Sequence, residues 1–107
     1  MISDVYSLTR EEIRHRLGKL NVSNQETWQV LEGKLHKTFS FRSFKAAMAF
    51  MQAVAGIADE MDHHPEWCNS YNRVSVDLIT HSTGGISRLD FDLAHHMNEE
   101  HDRLNIS

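Results

Sequence analysis

The chain has 107 residues, 40% of them hydrophobic, enough for a single domain over residues 1–107 with one modest core. Its formal charge of -4, from 15 acidic and 11 basic residues without a Lys/Arg cluster, disfavours direct binding of nucleic acid. Cys68, the single cysteine, excludes an internal disulfide, and no apolar run reads as a signal peptide or a membrane span, so a soluble cytoplasmic protein without membrane contact is expected. So short a chain encloses a walled site more easily between subunits, which favours a homo-oligomer. The unusual feature is eight histidines, because imidazole is the one side chain that ordinarily changes charge near neutrality.

Thr9 followed by Glu12 forms the sequence signature of a capping box, and Ile13 and Leu17 share one face of the short helix that it opens. From Thr27 to Phe41 the apolar period falls to two, with Trp28 and Val30 before Glu32-Gly33 and Leu35, Phe39 and Phe41 after it, which predicts a β-hairpin. Ser43 caps a second helix whose apolar stripe comprises Phe44, Ala47, Met48, Met51, Val54, Ala55, Ala58 and Met61. Pro65 biases His64 away from helical geometry and ends that helix just before it. Val74, Val76 and Leu78 alternate with Arg73, Ser75 and Asp77, predicting a half-buried strand that leads to Thr80 and His81. Gly84-Gly85 then predicts a tight turn, with Ile86 to Leu89 returning as an edge strand. Asp90 is expected to cap a last helix with Phe91, Leu93, Ala94, Met97 and Leu104 on its apolar side. The order α-β-β-α-β-β-α predicts an α+β two-layer sandwich, an antiparallel four-stranded sheet with helices on one face.

The chemistry concentrates where the second helix stops. Between Glu60 and Trp67 lie carboxylates, two imidazoles and an indole, and a proline-broken junction can turn His63 and His64 into one cleft. His81, at the end of a strand, is placed to approach them from across the sheet. Taken singly, each of these residues has a bland alternative: a histidine at a helix end is commonly a cap, Trp67 and Tyr71 are commonly packing aromatics, and Asp90 is commonly a cap. His15, His36, His95, His96 and His101 fall on exposed-looking positions and receive no chemical role.

The run Glu60 to Pro65, as Glu-x-x-His-His-Pro, together with Trp67, Tyr71-Asn72, Val74, Thr80-His81 and Asp90, resembles the signature of the pterin-4a-carbinolamine dehydratases. The resemblance extends from the Trp28 hairpin to the last helix; Cys68 and Ser70 stand where bulkier apolar residues are common, and the last helix is unusually rich in His and Glu. It implies elimination of water from a 4a-hydroxytetrahydropterin to give a quinonoid dihydropterin, in the recycling of tetrahydrobiopterin. The C4a hydroxyl leaves while N5 loses its proton, so the site needs a proton donor and a proton acceptor near pH 7, and imidazoles with a pKa of about 6.5 suit both tasks. No metal and no redox cofactor is required. The resemblance implies His63 and His81 as the main acid/base pair and His64 as an orienting group. It implies Glu60 and Asp90 as the carboxylates that fix imidazole tautomers, Asp62, Thr80 and Ser82 as further substrate contacts, and Trp67 as a wall of the pocket.

Two other readings stand beside this one. Members of that family resemble a dimerisation cofactor of a homeodomain transcription factor, so a protein-interaction module, with a nuclear as well as a cytoplasmic location, is the main alternative. The Ala/Met-rich stripe of the second helix would serve such a partner or a homotetramer built as a dimer of dimers, and the homotetramer is preferred. A metal site built from His63, His64, His81 and Asp90 is disfavoured, because the spacing lacks an i, i+4 pair of the His-Glu-x-x-His kind.

Overall fold

The computed structural model describes residues 5–22 and 27–105. In chain order the elements are α1 (Arg10–Leu20), β1 (Gln29–Leu31), β2 (Lys34–Ser40), α2 (Phe44–Met61), β3 (Glu66–Ser70), β4 (Arg73–Leu78), a 3₁₀ turn (His81–Thr83) and α3 (Arg88–Asn105). The strands form one antiparallel sheet in the order β1-β2-β4-β3, two hairpins joined through their inner strands. This is the expected α+β architecture.

Local chemistry accounts for most of these elements. The Thr9 hydroxyl accepts from the Glu12 amide while the Glu12 carboxylate accepts from the Thr9 amide, completing the capping box of α1. Glu32 and Gly33 both adopt positive φ, the two-residue turn whose twist suits a hairpin. The Ser43 hydroxyl accepts from the Ala46 amide and opens α2.

Leu35, Lys37 and Phe39 of β2 pair in register with Leu78, Val76 and Val74 of β4, and all six are turned towards the helices and buried. Against them lie Ala47, Phe50 and Val54 of α2 and Phe91, Leu93, Ala94 and Met97 of α3. Trp28, Phe39 and Phe50 form the aromatic centre, with ring centroids 5.7 Å apart for Trp28 and Phe39 and 4.9 Å for Phe39 and Phe50. The polar members of this core are paired. The Asn98 side-chain oxygen accepts from Trp28 Nε1 at 2.9 Å and from Lys37 Nζ at 3.2 Å, and the Lys37 ammonium also lies 4.6 Å from the Phe39 ring centroid.

Four expectations need correction. The second hairpin is β3–β4, not a strand pair closed by Gly84-Gly85. Its two-residue loop is Tyr71-Asn72, where Tyr71 takes a φ of 51° and the Asn69 amide group bridges the Tyr71 and Arg73 carbonyls. Residues 86–89 form no strand: a single bridge joins Thr80 to Gly85, Ile86 is buried, and α3 has begun at Arg88. The cap of α3 is Ser87, whose hydroxyl accepts from the Leu89 amide; Asp90 stands in the first turn and its carboxylate accepts from the Ser87 amide. The α2 stripe is not wholly core either. Phe50 is buried and was absent from the predicted stripe, whereas Phe44 and Ala55 are exposed and Met48 and Met51 half-buried.

Candidate active site

The start of β3 lies at the same end of the sheet as the end of β4, because Glu66 pairs with Asp77. The α2–β3 junction and the β4–α3 junction therefore meet, and the start of α3 closes the group from the helix layer.

At the first junction α2 ends in a left-handed residue, Asp62, with φ 52° and ψ 42°. The Asp62 amide donates to the Asp59 carbonyl at 3.1 Å and the His63 amide to the Ala58 carbonyl at 3.0 Å, which is a Schellman ending built without glycine. The reversal fixes the His63 backbone and turns its ring inward. His63 is 8% exposed, and its Nε2 lies 2.6 Å from Oδ1 of Asp90, a carboxylate with no exposed surface. The other carboxylate oxygen accepts from the Thr80 hydroxyl at 2.8 Å and from the Ser87 amide at 2.9 Å. Asp90 thus holds three donors and needs no water, which is how an ionised carboxylate is accommodated in a core.

The next two histidines are more open. His64 is exposed, and its Nε2 lies 2.9 Å from Asp59. His81 opens the 3₁₀ turn, also exposed, with Nε2 3.2 Å from Glu66. Glu66 accepts in addition from the Lys34 ammonium at 2.7 Å, so its carboxyl is held below the ordinary range, first by that hydrogen bond and then by the one with His81. The Lys34 pKa is raised by the same bond to Glu66. Each of the three imidazoles therefore has its own carboxylate, and only that of His63 is buried.

Of the remaining candidates, Glu60 is exposed and bonds to no histidine among the described residues; the carboxylate beside His64 comes from Asp59, one position earlier. Asp62 is exposed at its left-handed position and Ser82 is exposed in the 3₁₀ turn. Trp67 is half-buried on the helix-facing side of β3, packed against the core. Thr80 is 4% exposed, and its hydroxyl is engaged with Asp90 and Ser87. Asp59, Glu66 and Ser87 are partners in the site that were not among the expected residues. Ser87 had a visible signal, since Ser-x-x-Asp before an apolar run is itself a capping-box spacing.

Fold and site together define a class: a small two-layer α+β protein with a histidine–carboxylate centre where its two β-β-α units meet. Residues 6–100 match the family described as Pterin 4 alpha carbinolamine dehydratase, and the chain belongs to that family. A relative from Sulfolobus acidocaldarius, carrying the provisional name pterin-4-alpha-carbinolamine dehydratase, is 45% identical over 92 residues, covering 86% of this chain and 96% of its own. One from Chelativorans, similarly named, is 43% identical over 93 residues, covering 85% and 90%. Among solved structures, a transcriptional coactivator/pterin dehydratase from Brucella melitensis superposes with a TM-score of 0.80 at 40% identity, covering 88% of this chain and 97% of that one. A pterin dehydratase-like protein identified as a RuBisCO assembly factor of the alpha-carboxysome shares the fold at a TM-score of 0.59 and 21% identity, covering 74% of this chain and 92% of its own.

Proposed function

We propose that the chain is a hydro-lyase that dehydrates 4a-hydroxytetrahydrobiopterin or a close pterin analogue, in tetrahydrobiopterin recycling, with His63 and His81 exchanging the protons. The observation that carries this reading is the buried His63–Asp90 contact at 2.6 Å in a chain that matches the dehydratase family over residues 6–100. In the reaction the C4a–O bond breaks and the hydroxyl departs as water after receiving a proton. N5 gives up its proton to a base, and its electron pair forms the C4a=N5 double bond of the quinonoid product. A positioned acid or base contributes roughly 10² to 10⁴ in rate. His64 orients the ring and Trp67 supports the site from the core side, while Asp62 and Ser82, both exposed beside the histidines, are the further substrate contacts. Thr80 acts through Asp90, since its hydroxyl is already engaged there.

The test is stopped-flow decay of the 4a-hydroxypterin absorbance at neutral pH. The protein is expected to accelerate it, with or without a chelator, and His63→Ala and His81→Ala are each expected to lose roughly 10 to 10³-fold in rate, unequally on the two C4a stereoisomers. No acceleration by folded wild-type protein would overturn the reading.

A specific observation supports a second property, self-association. The outward side of α2 presents exposed Phe44 and Ala55 beside half-buried Met48 and Met51, an apolar strip that a dimer of dimers would cover. Light scattering is expected to give a mass well above the 12.4 kDa of one chain. The coactivator activity in the name of the Brucella melitensis relative is the alternative use of the same strip. A monomer that lacks dehydratase activity would favour it.

A further inference from the structure

The hydrogen bonds behind His63 fix more than its position. Ser87 and Thr80 are buried, and their hydroxyl oxygens lie 2.6 Å apart, so one must donate to the other. The Thr80 hydrogen is directed to Asp90 Oδ2 at 2.8 Å. Thr80 is therefore the acceptor of the pair and Ser87 the donor. The Ser87 oxygen also accepts from the Leu89 amide at 3.2 Å, which leaves its hydrogen for Thr80. Proton direction along the chain is set at its far end by the carboxylate, which can only accept: Ser87 donates to Thr80 and Thr80 to Asp90. A second backbone amide, that of Ser87, meets the same Oδ2 at 2.9 Å. A carboxylate accepts on both oxygens and has no hydrogen to give, so with Asp90 in that form the atom facing its Oδ1 at 2.6 Å, His63 Nε2, carries the hydrogen.

We propose that Ser87, acting through Thr80 and Asp90, is a positioning residue that holds His63 in its Nε2–H form and leaves Nδ1 as the nitrogen that exchanges a proton with the pterin. The assignment of Nδ1 to the pterin rests on the dehydratase reading above; the tautomer does not. It follows that neutral His63 meets substrate as an acceptor, the base of the pair, and that His81, exposed and beside Glu66, supplies the donor. The proton taken by Nδ1 is stabilised by Asp90 through Nε2–H, and the Thr80 hydroxyl, itself held by Ser87, keeps that carboxylate from rotating as the charge develops.

Two measurements test this. The ¹⁵N shifts of the His63 ring, read on the folded protein without substrate, are expected to show a protonated Nε2 and an unprotonated Nδ1 above the imidazole titration. Thr80→Val and Ser87→Ala should both broaden or reverse that pattern, whereas Thr80→Ser should restore it. On the enzyme, Thr80→Val should lower kcat by roughly 10 to 100-fold and Ser87→Ala by roughly 3 to 10-fold, with KM within about twofold and the acid limb of the pH–rate profile moved, and Thr80→Ser should recover most of the rate. An Nδ1–H tautomer in the wild type, or folded Thr80→Val with unchanged ring shifts, would overturn the proposal. An inactive wild type that shows the expected shifts would instead refute only the dehydratase reading.

Discussion

Replacing Asp90 by asparagine keeps the shape of the buried group and changes its charge and which of its atoms can accept. The carboxylate holds three donors, and the Ser87 amide among them cannot turn away. In Asp90→Asn the amide oxygen must therefore stay on the side of Ser87 and Thr80, where two acceptor sites serve two donors. The amide NH₂ is then directed at His63 Nε2, so that nitrogen must become an acceptor and the imidazole proton moves to Nδ1. The catalytic loss expected for an imidazole held in the wrong tautomer is about 10² to 10⁴ in kcat, with substrate binding little changed. The stability loss is one charge-assisted hydrogen bond of about 1.5 to 3 kcal/mol, to which the second N–H of the new amide adds, since His63 Nε2 accepts only one of the two. Asp90→Ala strands the Ser87 amide in a buried position and is expected to cost more, about 3 to 5 kcal/mol with the cavity included. Urea unfolding read beside stopped-flow kinetics separates the two effects. A folded Asp90→Asn variant with kcat within twofold of wild type would refute the reasoning from the carboxylate upward.

Three further outcomes follow from other parts of the molecule. Asn98→Ala removes the acceptor shared by Trp28 and Lys37 inside the core, and a midpoint shift in urea equivalent to about 2 to 4 kcal/mol is expected; a change below half a kcal/mol would show that these donors find other partners easily. Asp62→Gly relieves the left-handed strain at the end of α2 and should gain about 0.5 to 1 kcal/mol, while a rise in KM in the same variant would show that the Asp62 carboxylate also touches the substrate. The Glu66 pKa lies below 4.5 and that of Lys34 above 10.5, so the stabilising contribution of Glu66 is complete above its unfolded pKa and fades as pH falls through the folded one. The contribution of Lys34 is present below its own unfolded pKa and fades as pH rises through the folded value. A carboxyl ¹³C titration of Lys34→Met should return Glu66 towards 4.5, and an unmoved midpoint would show that the 2.7 Å contact is not formed in solution.

What could be read from the sequence is what a few neighbouring residues decide between them. Thr9 and Glu12 complete their own capping box, Glu32-Gly33 supplies the positive φ of its own turn, and the alternation of Val74, Val76 and Leu78 and the helical spacing of Ala47, Val54 and Ala58 mark their buried faces. The Glu-x-x-His-His-Pro run and its distant companions pointed to the site by resemblance. The parts that escaped depend on contacts remote in sequence. Strand β3 carries only Trp67 and Asn69 on its inner side and turns through Tyr71-Asn72 without glycine, so its pairing with β4, and not a local pattern, makes it a strand. Gly84-Gly85 looked like a hairpin turn, but β4 already has a neighbour on each edge, β2 and β3, leaving no ladder for residues 86–89 to join. Which carboxylate meets which imidazole was likewise beyond local reading. A left-handed turn at Asp62 aims His63 at Asp90, 27 residues further on, and leaves His64 beside Asp59 and not Glu60. Sequence spacing orders groups along a line, whereas a hydrogen bond of 2.6 Å is decided by where three packed elements meet, and only the tertiary structure brings the end of α2, the end of β4 and the start of α3 to one point.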